Sequence, residues 1–372
     1  MENKKEKTLV ISILCAFFII SIITVLSASK ITNSSSDIIT KHVFWYLLSF
    51  ASIFIFSKIN IKKLIDHSFI IYLILNILLL LLLFFGKEIN GSRCWIVLPK
   101  IGSIQVSEFM KLTIILMNIK IFKEFDKKNF EDSFFNNIKL LAITLFFTLI
   151  PSILTFLEPD TGMVIIYFII TITMLFCFGI NKKLLITLII LLLAGISIFF
   201  LLYFREKDLF ISIFGNNFFY RINRILDWSS KSNMQFINAT SAIKAAGILG
   251  FGLNNTPIYI PEAHTDFIFS VYSNNTGFIG SMILILLIFV FDFILVKQVI
   301  KSNDKNYKLL VIGFLVMLLY EQAQNIGMNV GILPITGITL PFISYGGSSL
   351  LSNMIGLSLI INYNKRKKLK EA

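Results

Sequence analysis

Apolar residues in this chain do not alternate with polar ones. They gather in long blocks separated by short polar or basic intervals. A block of about twenty apolar residues is what an α-helix needs to cross the hydrocarbon core of a bilayer. The pattern gives ten spans: Leu9–Ala28, Val43–Ser57, Phe69–Gly86, Ser107–Phe122, Leu140–Leu157, Met163–Gly179, Leu184–Tyr203, Phe267–Val296, Leu309–Met328 and Leu340–Tyr363. Ser27-Ala28-Ser29 faintly resembles a signal-peptidase site, but the run before it exceeds the about 7–15 residues of a cleaved leader. The first block therefore reads as an uncleaved span. The only long polar interval runs from Phe204 to Thr265, between spans seven and eight. Inside it, Met234 to Leu249 has helical character and low charge, which suits the membrane interface. Gly277 and Gly280 mark a place where the eighth span can break.

Composition agrees with the blocks. The chain is 56% hydrophobic and only 15% charged, with a mean hydropathy of +0.82. That excludes a soluble domain and points to an all-α polytopic membrane protein, with residues 1–372 forming a single membrane domain. Cys15, Cys94 and Cys177 are scattered, without disulfide or metal spacing. The net charge of +13 follows the membrane and does not mark a nucleic-acid face. Loops on the side of the termini hold 22 of the 34 Lys and Arg residues. The positive-inside rule then puts both termini in the cytoplasm and the long loop outside. That loop is itself basic, through Arg205, Lys207, Arg221, Arg224, Lys231 and Lys244, which suits an anionic ligand as well as ordinary solvation.

Candidate chemistry concentrates where the long loop re-enters the membrane. In Pro261-Glu262-Ala263-His264-Thr265-Asp266-Phe267-Ile268-Phe269, four polar groups fall within five positions. Ionisable groups at that depth are costly and tend to mark function. A helix cap by Thr265 or Asp266 fits the same spacing. Glu108 and Lys111 stand three apart and can pair on one helix face. Asp160 follows a proline and opens a span, as an N-cap does. Tyr345-Gly346-Gly347 reads as broken backbone, which is tolerated at membrane depth only inside protein or along a cavity.

The segment PEAHTDFIF resembles a signature of the SEDS proteins (shape, elongation, division, sporulation), the RodA and FtsW glycosyltransferases of bacterial peptidoglycan. Four other segments resemble the same family. Asn90-Gly91-Ser92-Arg93-Cys94-Trp95-Ile96 is similar to its NGxxRW loop, with Cys94 where an arginine usually adjoins the tryptophan and Arg93 one place early. Gln105 to Leu112 resembles QPSEFxKL, with Val106 for proline. Glu158-Pro159-Asp160-Thr161-Gly162 resembles the QPD/EPD turn, and Pro341 to Ser349 resembles PFxSYGGSS. Tyr220 to Arg224, Gln235, Ala242-Ile243 and Gly247 to Gly252 follow the long-loop pattern more loosely. Asn274-Asn275-Thr276-Gly277 stands where the family commonly has EELG. Short tails and Ser352-Asn353-Met354 lean toward RodA.

The resemblance implies a glycosyltransferase that polymerises lipid II into glycan strands at the outer face of the cytoplasmic membrane, during elongation or division. Asp266 would be the catalytic base. Lys111, Glu108, Arg93, Trp95, Asp160, Arg221, Arg224, His264, Ser344 and Ser348 would bind the substrate, an undecaprenyl-pyrophosphate-linked glycan. Arg221, Arg224 and Lys111, or a divalent cation such as Mg²⁺, would balance the departing diphosphate. The implied partner is a class B penicillin-binding transpeptidase, held through membrane helices. Two other readings fit the same pattern: a lipid II flippase with a broken-helix cavity, and a non-catalytic cell-wall scaffold.

Overall fold

The computed structural model describes residues 4–31, 37–89, 92–98, 101–127, 133–216, 218–219, 222, 234–255 and 257–363. Within them, thirteen helices and one small sheet follow in this order. The helices are α1 Lys4–Ile31, α2 Asp37–Ser57, α3 Ile61–Asp66, α4 Ser68–Phe85, α5 Val106–Lys127, α6 Phe134–Leu157 and α7 Thr161–Phe178. Next come α8 Lys182–Arg205, α9 Lys207–Phe214, α10 Met234–Ala245, α11 Ile268–Lys301, α12 Lys305–Val330 and α13 Gly347–Asn362. Each of the ten expected spans has its helix. Among the described residues, eight helices are long and apolar enough to cross a bilayer.

The two remaining helices are exceptions for different reasons. α5 is long enough, at 22 residues, but too polar to qualify. It can carry Glu108, Lys111 and Asn118 because these side chains face protein: α5 is packed by α4, α6, α7, α12 and α13. α13 is shorter, at 16 residues, because the chain before it, from 340 to 346, is not helical. α13 packs most extensively against α2, with Trp45 of α2 against the Gly347 turn.

The interval between α4 and α5 contains a sheet that the hydropathy pattern does not disclose. β1 (Lys87–Ile89), β2 (Ser92–Leu98) and β3 (Gly102–Gln105) pair antiparallel in the order β1-β2-β3. Trp95 lies opposite Gln105, and Leu98 opposite Gly102. A hairpin this short gives no long apolar block, so it reads as a polar loop until its pairing is seen.

α11 is interrupted at Gly277, whose φ of 69° and ψ of −163° leave the helical region. The long loop supplies the backbone partners lost there. Phe251 N–H donates to Asn274 O at 3.0 Å and Gly252 N–H to Asn275 O at 3.0 Å, while Phe278 N–H donates to Gly247 O at 3.0 Å. A Cβ on Gly277 would fall 2.4 Å from the Gly250 nitrogen, so neither strand of this junction has room for a side chain. Asn274, in place of a family carboxylate, donates from its amide to Ala242 O at 2.8 Å and ties α10 to the break.

Candidate functional site

The turn at 261–267 is folded by its own backbone. Thr265 N–H and Phe267 N–H both donate to Glu262 O, at 3.2 and 3.3 Å. The next segment with a matching motif then fastens onto it. Ser344 Oγ donates to Thr265 O at 2.7 Å, and Tyr345 N–H donates to His264 O at 2.8 Å. From α12, Asn325 Nδ2 donates to Asp266 O at 2.9 Å and Asn329 Nδ2 donates to the same oxygen at 3.0 Å. The main chain of Asp266 is thus held from a helix rooted in the bundle. Its carboxylate is not spent on capping: the N-cap position of α11 is Phe267, and no side chain bonds there. The capping expectation for Thr265 or Asp266 is therefore replaced by a partly exposed Asp266 side chain at a cavity wall.

That cavity has a volume of about 320 Å³. Its lining includes Glu262, Thr265 and Asp266, Asp160 with Ser92, Cys94 and Trp95 of β2, and Trp45 with the Gly346-Gly347 turn. Asp160 is heavily bonded. Its Oδ2 accepts from Gln105 Nε2 at 2.7 Å and from Ser107 Oγ at 3.3 Å. Its Oδ1 accepts from Met163 N–H at 3.3 Å, the expected N-cap of α7. Ser348 Oγ joins the sheet to α13 by accepting from Gln105 N–H at 2.8 Å.

Beneath the cavity lies an ion triad. Lys111 is fully buried, 2.6 Å from Glu108 Oε2, and its other carboxylate partner is Glu321 of α12. Glu108 lines the cavity floor, while Asn353 Nδ2 donates to Glu321 Oε2 at 3.4 Å.

The low-dielectric setting retunes the acids outside the spans. Burial, reinforced by the charge of Glu262, pushes Asp266 up to about 7. Burial raises Asp160 to about 6 despite its hydrogen bonds. Glu158, with both oxygens buried and without hydrogen-bond partners among the described residues, is pushed up to about 8 by burial and by Asp160. Burial lowers His264 and raises the Cys94 thiol, so neither carries charge at neutral pH. No group of three or more His, Cys, Asp or Glu among the described residues is placed to hold a metal ion.

The profile of the FtsW, RodA and SpoVE family of cell cycle proteins matches residues 7–369. The chain belongs to that family.

Relatives in the FtsW/RodA family cover nearly all of it. The probable peptidoglycan glycosyltransferase FtsW of Wigglesworthia glossinidia brevipalpis is 32% identical, covering 97% of this chain and 96% of its own. That of Bacillus subtilis is 31% identical, covering 97% and 92%. A solved peptidoglycan synthase complex that coordinates polymerisation and crosslinking contains a chain 25% identical, with a TM-score of 0.76 over 96% of this chain and 97% of its own. The rod shape determining protein RodA of Thermus thermophilus superposes with a TM-score of 0.68 at 22% identity, covering 96% and 95%.

Set against the motifs of the FtsW/RodA family, the expected residues divide into three groups. Asp266, Asp160, Glu108, Trp95 and Ser348 line one cavity. Lys111, Arg93, His264 and Ser344 are not among the residues that line it. Lys111 is enclosed by two carboxylates. Arg93 is exposed and pairs with Glu88 at 3.2 Å. His264 lies beside the ring of Tyr345, at 5.5 Å between centroids. Ser344 spends its hydroxyl on the backbone of Thr265 and Leu340. Arg221 and Arg224 lie outside the described residues. Sequence reasoning missed Glu321, Asn325 and Asn329 on α12 and Gln105 on β3. The signal for the first three was a run of Glu, Gln and Asn inside an apolar span, where polar groups are expensive.

Proposed function

We propose that this chain, a peptidoglycan glycosyltransferase, polymerises lipid II with Asp266 as its general base. The acceptor's sugar hydroxyl loses its proton to Asp266 and attacks the anomeric carbon of the lipid-linked glycan. The bond to the diphosphate breaks, and undecaprenyl pyrophosphate leaves with the electron pair. The observation that carries this reading is a carboxylate held by its backbone from α12, free of capping duty, at the wall of the cavity and pushed up to about 7. A base is most effective when its pKa lies near the working pH.

The remaining roles follow from position. Asp160, Glu108, Trp95 and Ser348 line the cavity where sugar hydroxyls would bind. Arg221 and Arg224 would balance the diphosphate, since Lys111 is already neutralised by two acids. Both termini would be cytoplasmic and the cavity external, a placement supported by the excess of Lys and Arg on the side of the termini. One relative in structure belongs to a synthase complex that also crosslinks. A class B penicillin-binding transpeptidase is accordingly the proposed partner.

The test is polymerisation of purified lipid II by Asp266→Asn. Loss of general-base assistance costs about 10²–10⁴-fold in rate, while membrane insertion stays normal. Wild-type polymer yield from that variant would end the proposal.

A further inference from the structure

A second cavity, of about 360 Å³, lies at the opposite ends of α4, α5 and α6 from Asp266. Its wall is apolar and aromatic, built from Phe69, Ile143 and Phe147, and its rim carries Lys120, Lys139 and Glu124. Two other lysines on this face are paired: Lys123 with Asp66 at 2.7 Å and Lys305 with Asp126 at 2.9 Å. Lys139 has no ion-pair partner among the described residues. Lys120 gives one hydrogen bond to Asp66 O at 3.0 Å, which leaves two of its three donors.

We propose that this recess binds an anionic phospholipid, its phosphodiester between Lys120 and Lys139 and an acyl chain along the Phe69–Phe147 wall. Lysines near a helix end ordinarily extend toward water while their stems cover apolar surface. Here two of them flank a concave space large enough to accept a headgroup. Basic recesses between membrane helices are where anionic lipid headgroups lodge. A soluble phosphate ester would satisfy the lysines but leave the aromatic wall uncovered. A choline headgroup would bring a compensating positive charge beside them. The occupant that uses both features is a lipid of net negative charge.

The test uses the full-length protein in detergent, titrated with phosphatidylglycerol, phosphatidylcholine or glycerol 3-phosphate and read by native mass spectrometry. The wild type should retain phosphatidylglycerol over phosphatidylcholine. Lys139→Gln should cut that preference roughly fivefold, and Lys120→Gln with Lys139→Gln roughly 25-fold. Lys305→Gln, whose ammonium is engaged by Asp126, should leave it unchanged. Equal retention of the two lipids by the wild type would overturn the proposal, as would an equal loss in Lys305→Gln. Displacement of phosphatidylglycerol by an equal concentration of glycerol 3-phosphate would overturn it too, because the apolar wall would then contribute nothing.

Discussion

The side-chain amide of Asn329 donates to the backbone oxygen of Asp266 at 3.0 Å. The same asparagine accepts from Ser270 N–H at 3.0 Å through its Oδ1. One residue of α12 thereby fixes both the proposed base and the first turn of α11 behind it. Asn329→Leu should lower stability by about 1–3 kcal/mol, the usual cost of leaving buried polar groups unpaired. Polymerisation should fall further than melting accounts for, because the Asp266 backbone loses one of its two side-chain anchors. Thermal unfolding and polymer yield measured on one preparation check this; full activity would show that the anchor is dispensable.

The pH profile is the second expectation. Asp266 must be ionised to take a proton, and it is pushed up to about 7. Polymerisation should therefore rise with pH through about 7 and level off above it, falling roughly tenfold per unit well below it. A rate that is flat between pH 5 and 8 would exclude Asp266 as the titrating base.

Glu158 gives a prediction about stability. Its folded value, about 8, lies above the unfolded carboxylate value of 4.5. Below pH 4.5 both states are protonated there and its contribution is fully present. As pH rises toward 8 the unfolded state ionises first, and stability is lost. Glu158→Gln should flatten that part of the melting-temperature profile and stabilise the protein at pH 8 by on the order of a few kcal/mol. An unchanged slope would mean that Glu158 has an ionic partner.

Lys111 separates a structural role from ligand contact. Removing one partner of a buried ion pair costs about 3–5 kcal/mol. Lys111→Met should accordingly be poorly folded, and adding Glu321→Gln should restore part of the loss. If Lys111→Met melted normally yet made no polymer, contact with the diphosphate would be the better account.

Orientation can be read by thiol labelling in a background without Cys15, Cys94 and Cys177. Asn255→Cys should react with an impermeant reagent in whole cells, and Asn303→Cys should not. The reverse pattern would place the Asp266 cavity on the wrong side for external chemistry.

Much of this was legible in the chain, because lipid allows so few solutions. A lipid-facing span of this kind is a helix, so blocks of Leu, Ile and Phe place α4, α7 and α8 to within two residues, while α1, α2 and α6 begin five or six residues earlier, in polar sequence. Gly277 and the Tyr345-Gly346-Gly347 break were visible because glycine weakens a helix interior, whereas the positive φ of Phe342 in the second break was not. Partnership was hidden. Lys111 and Glu108 share a helix turn and could be paired by spacing, whereas Glu321 stands 210 positions away from Lys111 and meets it only through packing. β2 was hidden because strand pairing depends on register, not hydropathy. That Asp266 does not cap α11 was hidden because a capping and a non-capping carboxylate look alike in sequence.

The interruption at Gly277 also divides labour along α11. At 1.5 Å per residue, the part from 278 to 301 is about 36 Å long, which by itself spans a hydrocarbon core of about 30 Å. The part from 268 to 276 is clamped by the long loop and by Asn329. Beyond the break, Gln322 Nε2 of α12 donates to Asp292 Oδ1 at 3.2 Å, so the membrane half is tied to α12 as well. Asp266 is thus followed by a short segment held by protein on two sides, and the span proper begins only after the break.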